Sequence, residues 1–592
     1  MNILIKTVRI SGFRGLKNIE VGLEKTTILT GVNNTGKTSF LKALQIALGN
    51  RQFISQDDFF IQGSTTNEKI TIDLLIVPID VSGIRKEDFS EDWEVLFTTD
   101  RIRNDDTGHA FIPLRTIIIF DSIKNSFKNQ QYILQNWSEF KQDETHWFEL
   151  DNGNKSGFNF DEMPFFYMDS QRDILEDTKL RNSYFGKMLS KIEYSTDDIK
   201  DIEKQIKLLN EKAVSSSHIL SNIKASLKEL DTAMDTHSEG IEITPFTKKI
   251  RDLSKGLTIY YSDQKEPFSM EYHGMGTRSW SSLLTLKAFI ALLSINAEKE
   301  QAVFFPILAI EEPEAHLHPN AQKKLYGQID AIVGQKIIST HSPYIAATAE
   351  LSQIRSFYKG KTVTCGQIDT TILTSEEIRK INRQVINTRG EIFFSKVIVF
   401  FEGESEEQAL PIFAEKYFNK TAVEMGLDFV GVGGHKGYLS FLRFAEALKI
   451  PWLIFSDAEN TQEKQVKISV QRQFSKCDST KSENECIVFL DDGNDFEKQL
   501  ISDGFTEEIK ESIAFFDTYN NEQHRAARET DRLREISEFG NEDLYNIITK
   551  GKTKYSPVIA ENIIQSDNDL PIKVQELFRK ISTILNIQGA EA

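Results

Sequence analysis

The sequence predicts an α/β chain of several domains, built on strands that end in glycine-rich or acidic turns. Three stretches carry that prediction. Residues 26–40, TTILTGVNNTGKTSF, place a β-like run, a glycine-rich loop and the start of an amphipathic helix pattern in succession. Residues 304–319, FFPILAIEEPEAHLHP, pass from an apolar run of buried-strand length straight into Glu311, Glu312 and Glu314. Residues 396–410, KVIVFFEGESEEQAL, make the same change from unbroken apolar strand to acid a second time, beyond a charged linker at 376–389.

Length and composition bound the rest. At 592 residues the chain exceeds a single core, and roughly 150 residues per domain gives about two to four. A formal charge of −18 argues against coating nucleic acid by bulk electrostatics. It leaves room for a local basic groove or a metal-bridged phosphate site, because net charge averages over surfaces that never meet a ligand. Cys365, Cys477 and Cys486 form no CxxC pair and no even disulfide framework, as expected in a reducing cytoplasm. Arg9, Arg14 and Lys17 interrupt any secretion signal, and no run of about 18 apolar residues stands out, so a cytoplasmic protein with no membrane partner is expected.

In chain order, residues 3–30 read as strand, turn and strand. Residues 31–40, GVNNTGKTSF, then satisfy GxxxxGK[ST] in the context that motif requires. Its glycines turn backbone N–H groups toward phosphate, Lys37 reaches the β/γ oxygens and the Thr38 hydroxyl ligates Mg²⁺. Residues 51–120 alternate β-like runs with acidic loops, and Gln56 is either a metal- or water-sensing glutamine or a polar turn. Within 191–235, Ile199, Ile202, Ile206, Leu209 and Ala213 recur at helical spacing, Ser215 to Ser217 break the run, and Leu220, Ile223, Leu227 and Leu230 resume it. This predicts a helical hairpin, packed either against a second subunit or against its own chain. The turn at 274–279, GMGTRS, precedes a long helix pattern and offers an anion site. Beyond the acidic strand end, KIISTHSP predicts another strand with His341 at its end.

Together FRGL, GVNNTGKTSF, GMGTRS, LAIEEPEAHLHP and STHSP resemble the ABC-type ATPases of the SMC and RecF group, in particular the branch found in OLD (overcoming lysogenization defect) nucleases. The resemblance implies that Lys37 and Thr38 bind the phosphates and Mg²⁺ of ATP, with Gly31, Asn33, Asn34, Gly36 and Ser39 completing the loop. Glu311 would stand at the Walker B metal position and Glu312 would be the base that activates water. Ser279 and its glycines would meet the γ-phosphate of a partner's nucleotide, and His341 would be the switch histidine. The Walker B metal position usually holds aspartate; the EEPE spelling departs from that and agrees with the OLD branch. YMDSQRDI, around Arg172 and Asp173, also resembles that branch and receives no role.

The second half restarts the pattern. Glu402, then Glu404 and Glu406, come after one strand; Gly433 and Gly434 come after the next; Asp457 and Glu459 end a third in WLIFSDAEN, and NDFEKQL supplies Asp495 and Glu497. Oxygen ligands from three segments converge on hard cations more readily than three solvated loops coincide. FEGESE and SDAE resemble the marks of the TOPRIM fold, a Rossmann-like α/β domain, with Glu459 in place of the usual second aspartate. That departure touches metal preference. KGKTKYSPVIAENI resembles the lysine segment of OLD nucleases, favouring Lys554 over Lys552 as the cation at the scissile phosphate. The resemblance implies two-metal phosphodiester hydrolysis with Mg²⁺ or Mn²⁺ ions about 3.5–4 Å apart, one more ion accompanying ATP. Glu402, Asp457 and Glu459 would hold one ion, and Glu406, Asp495 and Glu497 the other. No tyrosine is placed for a covalent strand-passing intermediate, although 15 are present.

The expectation is therefore an ABC ATPase domain over residues 1–165 and 251–375, a helical insertion over 166–250 that serves dimerisation, and a TOPRIM nuclease domain over 390–592. DNA as substrate, a homodimer or homotetramer, and a helicase or retron component of an anti-phage system encoded alongside are further implications of the resemblance. The rivals are an SMC-like structural or signalling ATPase with a non-cleaving TOPRIM module, and topoisomerase-like strand passage.

Overall fold

The computed structural model describes residues 2–49, 54–62, 65–66, 69–121, 126–141, 147, 153–155, 157–158, 160–179, 187, 195–221, 260–263, 266–371, 373–383, 390–461, 465–477, 479–517 and 521–586. The chain forms two compact units, one of Met1–Phe165 with Gln335–Ala592 and one of Phe166–Gly334.

In the first unit, Asn2–Phe13 pairs antiparallel with Leu16–Gly22 and with Lys69–Ile79, and the sheet continues through Ala110–Asp121 and Ser126–Ile133 to Asn154–Lys155. The strands are rich in isoleucine and valine, and Ile3, Val8, Ile10, Ile70, Ile72 and Ile112 are fully buried. One cross-strand pair in this sheet is ionic. Asp73 stands opposite Arg115, whose Nη2 lies 2.7 Å from Asp73 Oδ2 and 2.8 Å from the Trp147 carbonyl. Both side chains are 1% exposed.

A parallel group carries the glycine-rich loop. Thr26–Thr30 lies between Gln335–Ser339 and Ile354–Lys359, both parallel to it, and Val363–Gln367 adds an antiparallel edge. Leu29 is opposite Ser339 in register, and the Thr340 N–H donates to the Leu29 carbonyl at 3.1 Å. The loop at 31–36 and His341 therefore leave the same C-terminal edge.

A third sheet orders Leu427–Gly431, Val397–Phe401, Trp452–Ser456 and Ile487–Phe489, all parallel. Val397, Val399 and Phe401 pack with Leu410, Phe413, Leu453, Phe455, Leu577 and Phe578 in one core. Near-continuous apolar strands are what a sheet covered by helices requires.

In the second unit, Phe165–Met168 neighbours the buried strand Ile307–Glu311. Thr196–Ser216 is one helix, capped by Ser195, whose hydroxyl accepts from the Asp198 N–H at 3.2 Å. It ends at Ser217, where the serine run predicted a break; Leu209 on it is 54% exposed. The predicted return arm, with Ile223, Leu227 and Leu230, lies outside the described residues. The helix Met275–Lys299 is long and apolar enough to cross a membrane by length and composition, a correction to the expectation that no such run stands out. On it Trp280 Nε1 donates to Gln328 Oε1 at 2.6 Å, and Phe289 packs edge-on against Phe166.

Replacing Arg115 by Ala removes the guanidinium from a buried carboxylate. Urea unfolding should report a loss of about 3–5 kcal/mol, and the double replacement Asp73→Leu, Arg115→Met should cost far less. Equal losses would contradict a buried pair whose cost lies in breaking one side of it.

Candidate functional site

Three sets of candidate side chains stand at strand ends. In the first, Gly31 adopts φ 128° with the Phe357 carbonyl 2.2 Å from where a Cβ would sit, so neither the backbone angle nor the space admits another residue. Gly36, at φ 99°, opens the helix Lys37–Ala47 and leaves its first N–H groups without a side-chain cap. Lys37 is buried, and its ammonium donates to the carbonyls of Gly31 at 2.6 Å and Val32 at 3.0 Å. Asn33, Asn34 and Thr38 are exposed, with Asn34 left-handed at φ 62°, and Ser39 is half-buried. His341 is half-buried; burial and then the charge of Lys37 bring it down to about 4, so it is neutral at pH 7 and acts through hydrogen bonds. Gln56 stands exposed in a 3-10 turn, beside Asp58, which accepts from Arg14 of the FRGL segment at 2.9 Å. A cleft of about 490 Å³ lined by Arg14, Asp57, Phe59, Lys359 and Val363 adjoins this edge.

In the second set, Glu311 ends its strand, and Glu312 takes a left-handed φ of 41°, a conformation costly for a residue with a Cβ and held only by its surroundings. Arg172 supplies that hold. Its guanidinium is buried and donates to the carbonyls of Glu311 at 3.3 Å and Pro313 at 2.6 Å, on both sides of Glu312. Burial lowers Arg172 to about 10, with Glu314, Asp169 and Glu312 opposing the shift. The next residue, Asp173, accepts from Arg278 Nε at 2.9 Å, tying the same dipeptide to the turn at 274–279. A Cβ on Gly276 would meet the His316 carbonyl at 2.4 Å, so only glycine lets that turn approach the acidic loop. Ser279 is fully buried, and its hydroxyl has no partner among the described residues. Arg172 and Asp173 were visible in sequence without a role. Their partners are main-chain carbonyls and a residue 105 positions away, which spacing cannot reveal.

The third set lies at the C-terminal edge of the parallel sheet in the first unit. Glu402 stands just past its first strand, Glu406 lies in the first turn of the helix Glu404–Phe418, Asp457 stands just past Trp452–Ser456, and Asp495 and Glu497 open the helix Phe496–Ser502. Glu406, Asp495 and Glu497 are buried, Glu402, Asp457 and Glu459 half-buried, and Glu404 exposed. Short hydrogen bonds orient them. Ser456 Oγ donates to Glu402 Oε1 at 2.6 Å, Tyr545 Oη to Asp495 Oδ2 at 2.7 Å, and Ser405 Oγ to Glu497. The Tyr438 hydroxyl approaches Glu402 Oε1 at 3.4 Å. A Cβ on Gly403 would sit 2.6 Å from Glu406 Oε2, so a larger residue there would displace that carboxylate. Burial, with Glu497 and Glu402 nearby, pushes Glu406 up to about 8. Asp457 is raised well above the carboxylate range by burial and then by Glu406, Glu402 and Asp495.

A cationic side chain enters this cluster. Lys552 Nζ lies 2.9 Å from Glu497 Oε2; burial alone would lower its pKa, but the charge and hydrogen bond of Glu497 raise it. Lys554, favoured from sequence, is exposed instead, with its ammonium 4.5 Å above the Phe516 ring. The helix Lys552–Gln565 explains the difference, because positions two apart lie on opposite faces. The donor set fits a hard divalent cation: it is wholly carboxylate and hydroxyl oxygen, and Asp457 Oδ1 is buried with no partner among the described residues. Among the described residues no three such side chains stand close enough to be a ready ligand set.

The raised Glu406 carries a sign. Folding lifts it from 4.5 to about 8, so its contribution to stability is fully present below pH 4.5 and is lost as pH rises through 8. In cation-free buffer the unfolding temperature should fall from pH 6 to pH 9, Mn²⁺ should restore it increasingly over that range, and Glu406→Gln should flatten the profile. A cation effect independent of pH would count against this cluster as the binding site.

Comparisons with known proteins find relatives for both halves of the chain. Residues 4–346 match the family described as AAA ATPase domain, and residues 393–458 match the overcoming lysogenization defect protein-like TOPRIM domain. The chain is 22% identical to an OLD nuclease of Thermus scotoductus, over 77% of this chain and 82% of that protein. It is 20% identical to the endonuclease GajA of Bacillus cereus strain HuB5-5, over 95% of this chain and 88% of that one. Among solved structures it is similar to the C-terminal region of the Burkholderia pseudomallei OLD protein, at 18% identity over 32% of this chain and 99% of that chain, with a TM-score of 0.25. The chain belongs to the OLD family and joins a P-loop ATPase domain to an OLD-like TOPRIM domain.

Proposed function

We propose that this ATPase-nuclease hydrolyses DNA phosphodiesters with divalent cations at the Glu402–Asp457–Glu497 edge, under the control of ATP at the Lys37 loop. The observation that carries the reading is the gathering of buried carboxylates at one parallel-sheet edge with Lys552 among them. Glu402, Glu406, Asp457, Glu459, Asp495 and Glu497 are the residues that would hold Mg²⁺ or Mn²⁺. A cation bound there would acidify a water and neutralise charge building on the phosphate. Ser456 and Tyr438 fix the orientation of Glu402. Tyr545 does the same for Asp495, and its own proton is held because burial and then Asp495 raise its pKa. Lys552 offers a fixed positive charge to a phosphate oxygen. A role in anti-phage defence, alone or beside a helicase or retron component, and a homo-oligomer completed through the Thr196–Ser216 helix accord with the family and extend this reading.

In the ATPase domain the family resemblance would have Lys37 and Thr38 hold the triphosphate and its Mg²⁺, Glu311 ligate the metal and Glu312 activate water. His341, neutral at pH 7, would be the switch histidine, and Ser279 would serve a partner's nucleotide. Arg172 acts as a positioning residue, since it fixes the carbonyls on either side of Glu312.

Supercoiled plasmid incubated with Mg²⁺ or Mn²⁺, with and without ATP, tests the nuclease. Nicked or linear product is expected from wild type, with Glu402→Ala and Asp457→Ala slower by about a hundredfold or more, the upper range for groups that only support ligands. An intact plasmid under every condition sinks the reading, and relaxed closed circles would favour strand passage. For the ATPase, Arg172→Ala should lower kcat for ATP hydrolysis at least about tenfold with little change in KM, the mark of lost transition-state positioning. A rise in KM alone would make Arg172 a binding residue.

A further inference from the structure

A second charged feature lies beside the turn that leads into Tyr438, and the reaction chemistry does not use it. A cleft of about 650 Å³ is bordered by Lys380, His435, Lys436, Arg472 and Lys476, with Glu377 as its acid. The Glu377 carboxylate is already committed, accepting from Arg443 and from Thr374. Lys436, Arg472 and Lys476 form no ion pair among the described residues, on a chain of net charge −18. Arg472 and Lys476 complement the C-terminus of the helix Val466–Phe474, which alone would explain two cations there. It does not explain Lys436, which comes from a turn; Lys380, on the helix Ser375–Ile381, is paired with Glu376 at 3.3 Å.

That turn is pinned. Gly433 and Gly434 have φ of 74° and 100°, with open space where their Cβ atoms would lie, so the main chain itself lines the surface. The His435 carbonyl accepts from Gln473 Nε2 at 2.6 Å and from Ser469 Oγ at 3.1 Å, and Gln473 Oε1 accepts from the Leu439 N–H at 3.1 Å. One residue past Gly437, Tyr438 reaches Glu402. The basic cleft and the carboxylate edge are thus joined through one pinned turn, 433–437.

We propose that this cleft is the track that holds the backbone of double-stranded DNA as it runs to the carboxylate edge; the inference rests on the nuclease reading for the reaction at its end. Cations spread over three chain segments around an exposed main-chain turn suit phosphodiesters taken without regard to sequence. Among the described residues the lining has no Phe, Tyr or Trp, and the single His435 ring makes no platform for successive separated bases, which favours a duplex over a single strand.

The test measures binding apart from cleavage. Full-length protein in Ca²⁺, without Mg²⁺ or Mn²⁺, is titrated against a fluorescent duplex by anisotropy over a series of NaCl concentrations. The triple variant Lys436→Ala, Arg472→Ala, Lys476→Ala should bind about tenfold or more weakly for every duplex sequence, with the slope of log K against log salt shallower by about 3. Lys436→Ala alone should lower the slope by about 1, and Lys467→Ala, whose ammonium is paired with Asp492, should leave it unchanged. Wild-type affinity and slope in the triple variant overturn the track, as does displacement of the duplex by inorganic phosphate alone or a preference for single strands. Plasmid cleavage on the same samples separates the two proposals. A wild type that cuts while the triple variant binds normally removes the track and leaves the nuclease; salt-dependent binding lost in the triple variant, with no cutting by wild type, does the reverse.

Discussion

Burying like charges together is costly, so a fold that brings Glu406, Asp457, Asp495 and Glu497 to one edge must compensate them locally. The C-terminal half does so in three ways. Lys552 supplies a counter-charge to Glu497, the hydroxyls of Ser405, Ser456 and Tyr545 donate to three of the carboxylates, and burial raises Glu406 to about 8 and Asp457 above the ordinary carboxylate range. The last device is provisional. A proton on a carboxylate can be exchanged for a shared divalent cation, and an acid cluster tuned this way favours binding the cation over standing empty.

The two acidic strand ends solve different problems. At Glu311 and Glu312 the difficulty is geometric: Glu312 sits at a φ that a side chain resists, and Arg172 holds the flanking carbonyls while Asp173 engages the turn at 274–279. At Glu402 and Asp457 the backbone is ordinary and the difficulty is electrostatic.

Much of this was legible in the sequence because one rule governs both halves: the apolar strands of a parallel sheet end abruptly, and the residues just past their last position stand at the ligand edge. GVNNTGKTSF and the acids after Ile310, Phe401 and Ser456 obey that rule, and the serine break ending the helix at Ser217 obeys simple periodicity. The remainder depended on facts that spacing does not contain. Lys552 and Lys554 are the same residue type two positions apart, and only the helical face separates them, one at Glu497 and the other over Phe516. Tyr545 reaches Asp495 across 50 positions, and Arg172 binds carbonyls, which carry no side-chain signature. The antiparallel lobe read only as β-rich, because its strand order is set by pairing between distant runs.

Counting Mn²⁺ by electron paramagnetic resonance in nucleotide-free, full-length protein tests the central claim most directly. The account predicts tight Mn²⁺ binding that persists in Lys37→Ala and is lost in Asp457→Ala, with protons released as the ions enter. Mn²⁺ binding that survives Asp457→Ala and disappears with Lys37→Ala would contradict it, for then the only metal site would be the one that serves ATP.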